Sequence, residues 1–287
     1  MKNLFFFVFI SMVFCRQIMA QEFHVFVQDI QEIRTTVFAD NSRDKAVNQL
    51  KILTSVNGIR LDKNHLIKLQ NLNVVDDKGE VLQLIGTSRI EEYSSRKSKE
   101  IVLETPSRQA KSITVSGSLS YFTPNKQNKA YARIDNFVER SGENLLKEHP
   151  ENAKLSILTP TELSKLQVEI DKRITNELEE SSVKLSEQEV LDRELSRRIL
   201  KDIVRRGTDN RANFINFKIY PSPQNFYSIK VFNEKDQVIS YGSASVENLY
   251  QINLSEGPTA GSYIEVILEN DEAIKQLDFS LENIYLP

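Results

Sequence analysis

Apolar and polar positions alternate in short runs along most of this chain, and one of these runs occurs twice in the same order. Val74-Val75-Asp76-Asp77-Lys78-Gly79-Glu80-Val81-Leu82 aligns without a gap on Val231-Phe232-Asn233-Glu234-Lys235-Asp236-Gln237-Val238-Ile239. Each reads as an apolar pair, a four-residue polar turn, one polar position and a second apolar pair, which is the pattern of a β-hairpin. Gly79 offers the positive φ that such a turn wants. Further on, Leu103, Ile113 and Val115 match Leu254, Ile264 and Val266 at the same separations, with Pro106 or Pro258 early in each connecting loop. Two copies of one β unit are predicted, an arrangement commonest in strings of small sandwich domains that more often bind or space than catalyse.

The first copy extends in both directions. Phe23, Val25, Val27, Ile30, Ile33 and Val37 alternate weakly over 22–39 and predict strand material, while 44–53 fits a short helix or a strand equally well. The 66–75 run leads into the repeated turn and 80–85 leads out; Ile101-Val102-Leu103 and Ser112 to Phe122 supply two further strands. Ala130 to Val138 is expected to close the module, with Ala130, Ala132 and Ile134 on one face and Tyr131, Arg133 and Asp135 on the other. The period then changes. Thr159-Pro160-Thr161-Glu162 joins a Thr cap, a first-turn Pro and a Glu able to reach back to the cap, and Leu163, Leu166, Ile170, Ile174 and Leu178 follow at helical spacing. Ser186 to Glu189 forms a second capping box ahead of Leu191, Leu195, Ile199 and Ile203, and Arg205-Arg206-Gly207 supplies a helix stop. These helices are either an inserted hairpin packed on a sheet or a spacer between modules.

Residues 211–287 carry six strand candidates separated by turns such as Pro221-Ser222-Pro223 and Glu256-Gly257-Pro258, matching a small antiparallel sandwich. Its last strand alternates through Leu277, Phe279 and Leu281 and changes register near Glu282-Asn283. The expected fold is mainly β with an α insertion: two immunoglobulin-like antiparallel β-sandwich modules, 21–158 and 208–287, joined by a two-helix hairpin over 159–207.

Residues 1–20 read as a secretory signal peptide, with Lys2 as the charge, Leu4 to Phe14 as the apolar core and Ile18-Met19-Ala20 as the cleavage site. The apolar run is too short to span a hydrocarbon core, which needs about 20 residues, so no transmembrane span is expected in the mature chain. Cys15 follows Phe14 rather than the small residue a lipidation site prefers. As the only cysteine it leaves the mature protein without a disulfide or a thiolate metal site. A formal net charge of −3 argues against a nucleic-acid partner.

The three histidines, His24, His65 and His149, are far apart in sequence, and no zinc, nucleophile-elbow, phosphate-loop or dinucleotide motif is present. Asp76-Asp77 and Asp271-Glu272 fall at turns, where acidic residues favour local backbone hydrogen bonds. No catalytic residue, metal or cofactor is expected. The first copy carries six extra residues between Val75 and Leu103 (28 positions, against 22 from Phe232 to Leu254), rich in Ser, Lys and Arg. Tyr93, Arg96, Lys97 and Lys99 of this insertion, with Arg193 and Arg197 of the charged hairpin, are the candidate partner-binding residues. The expected function is an exported, non-catalytic binding, adhesion or structural protein of the bacterial cell envelope, periplasmic or secreted, whose partner is another envelope protein or a surface polymer. Two alternatives stay open: a secreted hydrolase with its site between modules, and an inhibitor or immunity-type protein acting through the helical hairpin.

Overall fold

The computed structural model describes residues 23–35, 48–86, 90–149, 153–180, 186–209, 213–221 and 226–287. In chain order the strands are β1 (His24–Arg34), β2 (Asn48–Asn57), β3 (Leu66–Asp76), β4 (Ser98–Leu103), β5 (Ser112–Phe122), β6 (Tyr131–Asp135) and β7 (Lys154–Ile157). Helices α1 (Pro160–Glu180) and α2 (Glu187–Asp209) follow, then β8 (Phe214–Tyr220), β9 (Phe226–Phe232), β10 (Ser240–Val246), β11 (Leu249–Leu254), β12 (Tyr263–Leu268) and β13 (Ile274–Tyr285). The fold is mainly β, in antiparallel sheets. The segment left open between helix and strand is strand from Asn48 onward. The signal-peptide residues lie outside the described residues.

Two compact units result: residues up to Leu119 together with Leu277–Pro287, and Ser120–Gln276. In the first, one sheet has the order β1-β2-β4, and an isolated bridge from Leu84 to Leu103 adds the return arm of the repeated hairpin beside β4. The other sheet has the order β13-β5-β3. Leu50 and Ile52 from β2, Ile101 and Leu103 from β4, Leu69 from β3 and Ile113 and Val115 from β5 are all buried. These are the alternate positions of their strands, so the period of two read from the sequence marks the face turned inward.

The second unit pairs the sheet β10-β11-β8-β7 with the sheet β6-β12-β9. Their inner faces share one core, with Phe217 and Ile219 from β8, Ile252 from β11, Val231 from β9, Ile264 and Val266 from β12, and Ala132 and Ile134 from β6. Both helices pack on the sheet of this unit through Leu163, Leu166, Ile170, Leu200 and Ile203 against Val246 and Leu249. Gln251, fully buried on β11, donates from Nε2 to the Ile203 carbonyl and to Asn216 Oδ1, each at 2.8 Å. Of the two readings left open for residues 159–207, the structure shows the packed hairpin.

The repeated hairpins form the same hydrogen bonds. Gly79 N donates to Asp76 O, Asp76 N to Glu80 O and Leu82 N to Val74 O. The counterparts are Asp236 N to Asn233 O, Asn233 N to Gln237 O and Ile239 N to Val231 O. Asp76 Oδ1 accepts from Lys78 N and Glu80 N as Asn233 Oδ1 accepts from Lys235 N and Gln237 N. Gly79 (φ 85) and Asp236 (φ 58) hold the left-handed position of their turns.

The strand pairing departs from the expected boundaries in two places. Strand β6, expected to close the first module, pairs with β12, Ile134 opposite Ile264; β7 likewise pairs with β8, Leu155 opposite Ile219. Strand β13, expected in the second module, pairs with β5 and belongs to the first unit over Leu277–Pro287. Periodicity reports that a residue faces a core but not which core, and the strands at issue carry similar alternation.

Candidate ligand-binding groove

The six residues singled out from the sequence fall into two groups in different units. In the first unit, Ser94 bridges to Ile67, and the Lys68 ammonium sits 4.4 Å above the Tyr93 ring, so the insertion is laid onto β3. Lys99 is buried on β4; its Nζ donates to the Glu92 carbonyl at 2.8 Å, and burial lowers its pKa. It therefore ties down the loop and does not offer a surface charge. Arg96 and Lys97 are exposed. In the second unit, Arg197 reaches from α2 to Asp171 Oδ1 (3.1 Å) and Thr175 Oγ1 (2.6 Å) of α1. Its charge clasps the hairpin. Arg193 is half-buried on the same helix.

A different set of cations converges on strand β6. This strand is an edge of its sheet and puts Ala132 and Ile134 into the core, which turns Tyr131, Arg133 and Asp135 outward. Before it, the 125–129 turn is locked by Asn125 and Asn128, whose side chains accept from each other's backbone amides at 3.0 Å. This turn presents Lys126 and Lys129. After β6 the chain passes a short 3-10 turn (Phe137–Glu139) and returns alongside, tied to β7 by Gly142 N to Ile157 O and Leu145 N to Leu155 O. His149 Nδ1 lies 2.9 Å from the Lys129 carbonyl and joins the end of that segment to the turn. Between the strand and the returning segment lies a groove of about 670 Å³, lined among others by Lys126, Lys129, Arg133, Asp135, Arg140 and Lys147.

Five cations against two carboxylates, Asp135 and Glu148, line this groove, although the chain as a whole is negative. Some of the cations are held by neighbours. Arg133 pairs with Asp135 at 3.0 Å and lies 3.6 Å from the centre of the Tyr263 ring, which itself stacks on Phe232 at 4.9 Å. The Asp135 bond is the main cause of the raised Arg133 pKa. Arg140 and Lys147 share Glu143, at 3.4 and 3.5 Å. Tyr131 donates to Glu265 Oε1 at 2.7 Å, and burial, followed by that carboxylate, pushes its pKa up, so it stays a neutral donor. Among the described residues, Lys126 and Lys129 make no side-chain hydrogen bond or ion pair. Such a groove can bind anionic groups spaced along an extended ligand, with the two lysines as charges to be neutralised and Arg133 held over the Tyr263 ring.

The outward face of β6 was readable from alternation. Its convergence with a lysine turn and with Arg140 and Lys147 was not, because only the tertiary fold brings those segments together. His65, the other histidine of interest, lies 2.7 Å from Asp62 Oδ1 within a local bridge between the two residues. Asp62 also accepts from Arg60 and from Asn64 N, and these hydrogen bonds, that of His65 first, lower its pKa to about 2. That carboxylate is a turn clasp. Comparison with protein-family models, with curated proteins and with solved structures finds no match to this chain.

Proposed function

We propose that this chain is an exported, non-catalytic binding protein of the bacterial cell envelope that holds an extended anionic surface polymer in the groove along β6. The observation that carries this reading is the local excess of cations, with Lys126 and Lys129 unpaired among the described residues, on a chain whose net charge is −3. The leader pattern of residues 1–20 supports export. The architecture supports the assignment to immunoglobulin-like modules. Counting the bridged hairpin arm, each unit sets four strands against three, and the second unit's order β7-β8-β11-β10 facing β9-β12-β6 resembles the ABED and CFG sheets of a constant-type immunoglobulin domain, with β6, in the last position, preceding β7 in the chain.

The test is calorimetric titration of the secreted form with a polyuronate of defined length and with a neutral dextran of equal length. The polyuronate is expected to bind with an affinity that falls as salt rises, and Lys126→Glu with Lys129→Glu to weaken it roughly tenfold or more. Equal binding of dextran, or polyuronate binding untouched by the charge reversal, would remove the proposal.

A second reading, that of an inhibitor acting through the helical hairpin, is favoured by one observation. Leu191 and Leu195, one turn apart on α2, remain 58% and 52% exposed after the helix has packed. Replacing both by Glu should leave polyuronate binding intact; if it instead releases a protein partner captured from the envelope, the hairpin is the working surface.

A further inference from the structure

Each half of the chain runs through strands in the same order, and the sheets show that the two halves have traded their last one. In the first half β5 is followed by β6; in the second, β12 is followed by β13. Strands β5 and β12 are counterparts, since Ile113 and Val115 align on Ile264 and Val266. Yet β12 takes β6 as its outer neighbour, and β5 takes β13. The pairing is antiparallel in both cases: Ile264 stands opposite Ile134, while Thr123 N donates to Ala273 O at one end of β5 and Leu286 N to Lys111 O at the other.

The two traded strands are held differently. Strand β6 puts Ala132 and Ile134 into the core of the second unit. Strand β13 is twice as long as the six-residue β12 and buries none of its twelve residues; Ile274, Leu277, Phe279, Leu281 and Ile284 are all only half-buried. Its attachment therefore rests mainly on the backbone ladder of an edge strand, which is the least costly strand of a sheet to release. The connection before it is fixed separately. Asn270 Oδ1 accepts from Ala273 N at 3.0 Å and Asn270 Nδ2 donates to Asn128 O at 2.9 Å, so a released strand would pivot after Ala273.

We propose that the outer edge of β5 is a strand-acceptor site whose second natural occupant is β13 of another copy of this chain. The occupant is set by the geometry on both sides: the site already takes a strand from the distant end of the chain, and β13 of a second copy carries the same half-buried alternation and the same register change at Asn283 (φ 55). Two chains exchanging β13 reciprocally close a two-fold dimer with no new interface and little net change in bonding. This inference does not depend on the groove or on the polymer reading.

Two preparations of the full chain carrying different affinity tags are mixed at high concentration, warmed, cooled and diluted, and complexes retained by both tags are counted. Mixed-tag dimers are expected, and an excess of a peptide spanning residues 272–287, present during warming, should suppress them roughly tenfold by mass action. A peptide of the same composition in scrambled order should not. Absence of mixed-tag dimers overturns the proposal, as does their persistence in the presence of the native peptide, which would place the association on another surface. Polyuronate binding is unaffected in either outcome.

Discussion

Asp76 and Asn233 occupy the same place in the same turn, yet only one of them has all its polar atoms satisfied. Asn233 Nδ2 donates to Gln237 Oε1 and Glu256 Oε1, both at 3.1 Å. Asp76 is 5% exposed, and its Oδ2 has no partner among the described residues, with Glu80 standing where Gln237 stands. A buried oxygen without a donor loses its solvation for nothing. Asp76→Asn keeps the Oδ1 bonds to Lys78 N and Glu80 N and replaces the orphan acceptor by a donor. It is expected to raise stability by about 0.5–1.5 kcal/mol, read as an increase in the urea midpoint at unchanged slope; a fall would mean that Oδ2 has a use the turn does not reveal. The turn itself was legible, because an Asx residue followed three positions later by Gly or Asp in the left-handed region is a local requirement. The orphaned oxygen was not, since it depends on the solvent exclusion that the rest of the unit supplies.

At the scale of elements, the helices were the most legible part because their caps are written within four residues. Thr159 Oγ1 accepts from Glu162 N at 3.3 Å, and Glu162 Oε2 accepts from Thr159 N and Oγ1 at 2.8 Å; Ser186 and Glu189 repeat the arrangement. Thr159→Ala is expected to cost about 0.5–2 kcal/mol, measured by thermal melting of the helical signal. The bonds to Thr159 and Ser186 lower the pKa of Glu162 and Glu189 from the ordinary 4.5. A carboxylate whose pKa is lower in the folded state stabilises it above its unfolded value and ceases to do so as pH falls through the folded value. Helical circular dichroism should therefore hold above about pH 4.5 and weaken only below it, and the two Glu→Gln substitutions should flatten that acid limb. Retention of the full acid limb in the double variant would show that other carboxylates govern it. Strands were legible as elements too, through burial at alternate positions in β2 and β5. The groove draws on the 125–129 turn, β6 and the returning 140–149 segment, and of these only the outward face of β6 was marked in the sequence.

For the whole molecule, the alternation along β6 and β13 says that both lie on cores, while the assignment of each to a core is a choice between two β5-like partners made by long-range packing. That choice can be tested without further structure. If Leu277–Pro287 completed the unit that contains β12, its removal would expose the amides of β12. In the observed pairing β12 already has β6 and β9 on its two sides, and β13 lies beside β5. A chain truncated after Gln276 should therefore lose hydrogen-exchange protection along β5, in the sheet it shares with β3. Protection of Phe217, Ile252 and Ile264 in the core of the other unit should stay unchanged. The edge position of β13 and the absence of any buried residue in it make a local loss of protection the expected scale of the effect, short of global unfolding. Protection lost instead along β12 would return the last strand to the half of the chain in which its sequence lies, and with it the boundary at residue 208.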